Sequence, residues 1–109
     1  MTFEYFVETL TDRAPNLGQT FETVARQNPN VVLALGLYFE AEVEYLDAEA
    51  PEHWRVAARR AFFHALADAR AARLFEPVSR VVESVARQTV KKRQCERVAS
   101  FADFEAVFA

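Results

Sequence analysis

Four prolines, at positions 15, 29, 51 and 77, divide this chain, and none interrupts a run of regularly spaced apolar residues. Proline lacks a backbone N–H and disrupts a helix interior, but it suits a first helical turn, where that N–H would have no partner anyway. Between the prolines the apolar residues recur at intervals of three and four, the period of a helix with a buried side. With only two glycines in 109 residues, little else breaks the chain. The pattern predicts an all-α fold.

The first stretch, Thr2 to Arg13, places Phe3, Phe6, Val7 and Leu10 on one face and Glu4, Glu8 and Asp12 away from it. Thr2 is a good cap for it. A short second helix is expected from about Leu17 to Gln27, with Gly18 weakening its first turn. Asn28-Pro29 then pairs a capping residue with a first-turn residue, opening a helix that runs to about Glu49. Val31, Leu35, Tyr38, Tyr45 and Leu46 share one side of it, and Glu40, Glu44 and Asp47 share the other. Gly36 lies on the acidic flank, where a partner backbone can come close. Glu42 is the exception, a carboxylate one turn from Tyr38 and Leu46 on the apolar side.

Residues 51–75 carry eight alanines and five arginines with no glycine, and they read as one long helix at the centre of a bundle. Two apolar stripes run along it. One joins Trp54, Ala58, Ala61, Ala65, Ala69 and Ala72; the other joins Val56, Phe63, Ala67 and Leu74. Arg55, Arg59, Arg70 and Arg73 lie between them, interrupted by Phe62 and Leu66. A buried Glu42 without a partner would be costly, so it is expected to pair with one of these four arginines; the alternative is a helix rotated slightly, with Glu42 reaching solvent at the rim.

After Pro77, Val78, Val81, Val82, Val85 and Thr89 form a buried face. Valine favours strands, but spacing of three and four decides for helix. Ser100 with Asp103 resembles a capping box for a last short helix, whose Phe101 and Phe104 are expected to dock on the bundle. The whole reads as a single domain over 1–109: a compact bundle of about five helices with a short C-terminal helix.

The net charge of −3 conceals an asymmetry: residues 1–52 sum to −8 and residues 53–100 to +7. Either the two halves fold against each other or each charged face meets a partner. Two candidate faces follow. Glu40, Glu44, Asp47, Glu49 and Glu52 form an acidic ridge suited to a basic groove on another protein. Arg80, Arg87, Lys91, Lys92, Arg93 and Arg97 form a basic face able to track phosphates, although no aromatic residue lies in that run to stack on bases.

The sequence carries no Glu-x-x-His pair, so a di-iron bundle lacks its usual ligands; His64 with Asp68 is an isolated pair. The single cysteine, Cys95, excludes an internal disulfide and fits a reducing compartment. None of the serines lies in a nucleophile elbow, and there is no glycine-rich phosphate loop. No catalytic residues, metal or cofactor are therefore assigned. The longest apolar run, Val31 to Phe39, is far short of the roughly 20 residues that cross a bilayer. The expectation is a cytoplasmic, non-enzymatic protein that docks on another protein as an adaptor or inhibitor. A nucleic-acid-binding module using residues 80–97 is the alternative, and a homo-oligomer is left open.

Overall fold

The computed structural model describes the backbone of residues 1–66 and 69–108 and the side chains of residues 1–66 and 71–98. Among these residues the chain is all helical: α1 (Phe3–Arg13), α2 (Pro15–Gln27), α3 (Pro29–Ala48), α4 (Glu52–Ala65), a four-residue α5 (Ala69–Ala72) and α6 (Phe75–Phe108). It is the expected all-α bundle.

Local chemistry sets most of the helix ends. The Thr2 hydroxyl accepts from the Tyr5 N–H at 3.1 Å and caps α1. α2 begins earlier than the sequence suggests, at Pro15, and includes Gly18. That glycine lies where α2 crosses α1. A Cβ there would fall 2.7 Å from the Thr11 Cα and 2.2 Å from its Oγ1, closer than real atoms approach. Asn28 serves two helices. Its side-chain oxygen accepts from the Asn30 N–H at 3.1 Å, capping α3, while its amide nitrogen donates to the Ala65 carbonyl at 2.9 Å, at the end of α4.

The centre of the bundle is α3, not the 51–75 segment. Helices α2, α4 and α6 all pack on it, while α1 pairs with α2. The expected long helix over 51–75 is also divided. α4 ends at Ala65, and a short segment leads into α6. No proline or glycine causes this. Leu66, Ala71 and Leu74 are all buried in the one apolar core, and a straight helix could not bring all three there and return the chain along α3.

The buried face of α4 differs from both expected stripes. Phe62 and Leu66 enter the core, with Ala58 and Ala65 at its edge. Trp54, Val56 and Phe63 are 56%, 45% and 44% exposed. A helix apolar on several sides leaves its rotation to its neighbours, and here Glu42 of α3 draws Arg55 inward. Rings then join the layers. Tyr38 and Phe62 stand 5.8 Å apart, Phe62 and Phe75 6.0 Å, and Phe6 meets Phe21 edge-on at 5.8 Å.

α6 starts two residues before Pro77, which its first turn tolerates. Val78, Ser79, Val81, Val82, Val85, Ala86 and Val90 are buried, as the valine spacing predicts. From Lys91 to Val98 every side chain is exposed. The molecule measures 60 × 30 × 19 Å, its long axis reflecting a helix of 34 residues, about 51 Å at 1.5 Å per residue. The separate C-terminal helix does not form. The backbone of α6 continues through Ser100 to Phe108, since nothing after Pro77 breaks it and its polar residues are mostly good helix formers. The side chains of Phe101, Phe104 and Asp103, like those of Arg70 and Asp68, lie outside the described residues.

Candidate functional site

Three helices meet at a polar junction inside the bundle. Glu42 on α3 is 2% exposed, and its Oε1 accepts from Arg55 Nε on α4 at 2.6 Å. Of the four arginines that the sequence offers, Arg55 is the partner. Its guanidinium also lies over the Tyr45 ring, 4.7 Å from the centroid, a cation–π contact. The hydrogen bond to Glu42 holds Arg55 even more firmly protonated than usual, against the opposing effect of partial burial. One turn back on α3, the buried Tyr38 hydroxyl donates to Glu83 Oε1 on α6 at 3.0 Å.

Burial pushes the Tyr38 pKa well above its ordinary value. The nearby Ser79 hydroxyl opposes that shift, and the charges of Glu83 and Glu42 reinforce it. Ser79 Oγ is itself buried, with no hydrogen-bond partner among the described residues. Both carboxylates of the junction are thus committed to a neighbour, and neither Glu42 nor Glu83 lines the two surface clefts described below. The junction ties α3 to α4 and to α6 and sets how far each helix slides along its neighbour. No group of three or more His, Cys, Asp or Glu among the described residues is arranged to hold a metal ion. His64 is exposed.

The two charged faces touch at one point. Arg97 Nη2 of α6 donates to Asp47 Oδ1 of α3 at 2.5 Å, so one member of the acidic ridge and one of the basic face neutralise each other across the bundle. Glu40, Glu44, Glu49 and Glu52 are exposed, and none makes an ion pair among the described residues. The same is true of Arg80, Arg87, Lys91, Lys92 and Arg93. Glu49 ends α3 in a left-handed conformation with φ of 53°, the one non-glycine residue with positive φ among those described.

The acidic ridge has an apolar extension that charge alone did not reveal. Leu33 and Leu37 are 67% and 59% exposed. At 100° per residue they fall on one line with Glu40 and Glu44 along the outer side of α3. Gly36 lies beside that line, and a Cβ built there meets nothing within 4 Å. The signal was present in the sequence, as two leucines on the acidic side of the wheel.

Two of the surface clefts are lined by described residues of α1, α4 and α6. One, of about 500 Å³, lies between the start of the chain and α6, lined by Met1 and Tyr5 and by Val85, Lys92, Arg93 and Glu96 of α6. The second, of about 330 Å³, is a shallow groove formed by Val56, Arg59, Arg60 and Phe63 of α4 with Phe75 of α6. Phe63 and Phe75 meet edge-on at 5.1 Å, and the Arg59 guanidinium stands over Phe75 at 5.1 Å while reaching Glu76 at 3.5 Å. No helix among the described residues is long and apolar enough to cross a membrane. Comparisons with protein-family models, with curated proteins and with solved structures gave no match to this chain.

Proposed function

We propose that this chain is a small non-enzymatic interaction protein, an adaptor or inhibitor that docks on a larger protein through the outer face of α3. One observation carries the reading: Leu33 and Leu37 stand exposed in line with Glu40 and Glu44, beside a glycine whose Cβ position meets nothing within 4 Å among the described residues. Water-facing leucines gain nothing for this chain alone, and burying each would contribute about 1.5–3 kcal/mol to a complex. The acids at one end of the line give such a contact direction and speed its formation with a basic partner. Glu49 and Glu52 extend the charge beyond it. The single cysteine, Cys95, free and exposed, supports a reducing compartment such as the cytoplasm.

The second reading is a nucleic-acid-binding module. It is favoured by the exposed basic residues on α6, of which Arg80, Arg87, Lys91, Lys92 and Arg93 have no carboxylate partner among the described residues. Two assays separate the readings. In affinity capture from the native host, a protein partner should be retained by the wild type and lost from a Leu33→Asp/Leu37→Asp variant. In gel shifts with duplex DNA and single-stranded RNA at two salt concentrations, binding that falls steeply with salt and disappears with Arg87→Glu/Lys91→Glu would favour the second reading instead.

A further inference from the structure

The groove on α4 and α6 is the complement of the outer face of α3. Its apolar members, Val56, Phe63 and Phe75, are flanked by the cations Arg59 and Arg60, and Arg60 makes no ion pair among the described residues. The α3 face offers two exposed leucines followed by two carboxylates, Glu40 and Glu44, that make no ion pair among the described residues. Each surface supplies what the other lacks, and each is on the outside of the same molecule. We propose that the groove receives α3 of a second copy of this chain, so that the protein self-associates head to tail. The inference rests on the reading of α3 as a docking face and goes further by naming an occupant.

The residue spacing fixes a direction. Leu37 and Glu40 are three residues apart, about 4.5 Å along a helix axis, and so are Phe63 and Arg60. If the incoming α3 lies antiparallel to α4 with Leu37 against Phe63, Glu40 comes level with Arg60 and Glu44 lies beyond it towards Val56. A parallel approach would bring Glu40 past the apolar end of the groove instead. Gly36, next to Leu37, leaves room for the Phe63 or Phe75 ring to approach the α3 backbone. The two surfaces are different patches, so the contact is heterologous, and repeating it builds rings or open chains and not a closed pair. A copy engaged in this way has its α3 face covered, so self-association competes with docking on any other protein.

The test uses sedimentation velocity on the full chain over a range from low micromolar to near-millimolar concentration. The wild type should associate progressively, and raising the salt should weaken it. Leu37→Asp, which spoils only the α3 face, and Phe63→Asp, which spoils only the groove, should each remain monomeric with unchanged circular dichroism. Mixed in equal amounts, the two variants should form a one-to-one dimer that grows no further, because each retains the half that the other has lost. A wild type that stays monomeric throughout, either variant associating like the wild type, or a mixture that stays monomeric would overturn the proposal. None of these results bears on capture of a different protein by α3, so the two readings fail separately.

Discussion

Glu42 of α3 and Arg55 of α4 meet at 2.6 Å, the carboxylate 2% exposed and the arginine side chain 32% exposed. A carboxylate so deeply placed is tolerated only with a charge partner, so the pair fixes one register between the two helices. Glu42→Gln keeps the shape and removes the charge, leaving Arg55 uncompensated. The expected loss is about 2–3 kcal/mol, at or just below the low end for a broken buried pair because Arg55 is partly in water. Urea unfolding of Glu42→Gln, Arg55→Met and the double variant measures it, and the double variant should lose less than the sum of the singles. A loss below about 0.5 kcal/mol for Glu42→Gln would place the pair in the range of ordinary surface substitutions.

Tyr38 gives the junction a pH signature. Its folded pKa is raised by burial above the ordinary value of about 10. The folded state therefore holds the phenol proton more tightly than the unfolded state. That contribution to stability is fully present below about pH 10 and is lost as the pH rises beyond it. Measured by urea unfolding between about pH 8 and about pH 11, the fall in stability should be smaller in Tyr38→Phe, which has no proton there to lose. At neutral pH the same variant should be less stable by about 1–2 kcal/mol, because the partly buried Glu83 loses its donor. An equal fall with pH in the two proteins would contradict the assignment.

The two glycines should respond in opposite directions. Gly18→Ala drives a methyl into the Thr11 backbone on α1 and should cost about 1–3 kcal/mol, since a close helix crossing cannot yield cheaply. Gly36→Ala adds a methyl in open space and removes a poor helix former, for a gain of up to about 1 kcal/mol. Thermal unfolding of both reads the signs directly. A Gly36→Ala protein that is more stable yet self-associates less would show that this glycine serves a contact with another chain.

Glu49 holds a left-handed conformation, φ 53°, that L-residues enter at a cost of about 1–2 kcal/mol and glycine enters freely. Glu49→Gly should stabilise the chain by about 0.5–1 kcal/mol, after allowance for the larger backbone entropy of glycine in the unfolded state. Chemical denaturation decides it. An unchanged or lowered stability would mean that the Glu49 side chain contributes more to the α3 terminus than its exposure suggests.

Fold class was legible because prolines and helical spacing agree along most of the chain, and the valine face of α6 could be read the same way; for Glu42 the spacing gave the apolar side of its helix but left burial and a place at the solvent rim both open. The failures have a common physical origin. Residues 51–75 are apolar on several sides and uniformly good helix formers, so neither the rotation of α4 nor the break after Ala65 is written locally. Both follow from tertiary demands: Arg55 pulled to Glu42, and Leu66, Ala71 and Leu74 drawn into one core. The continuity of α6 through Ser100 shows that a capping sequence does not start a helix inside one already propagating. At the surface, the wheel shows the charges of α3 and the two leucines in line with them, but not that those leucines stay uncovered. A wheel gives the angle of a side chain and says nothing about which neighbours cover it. The Tyr38–Glu83 bond was equally hidden, since it joins residues 45 apart on different helices.

The most direct test of the docking face is site-specific photocrosslinking in the native host. A photoreactive phenylalanine analogue is placed at position 37 on α3 in one protein and at position 87 on α6 in another. Both positions are exposed, so both proteins should fold normally. If the outer face of α3 is the docking surface, irradiation should yield a discrete adduct to a different protein from position 37 and none from position 87. An adduct to another protein from position 87 alone, or nucleic acid attached at position 87 with nothing at 37, would contradict it.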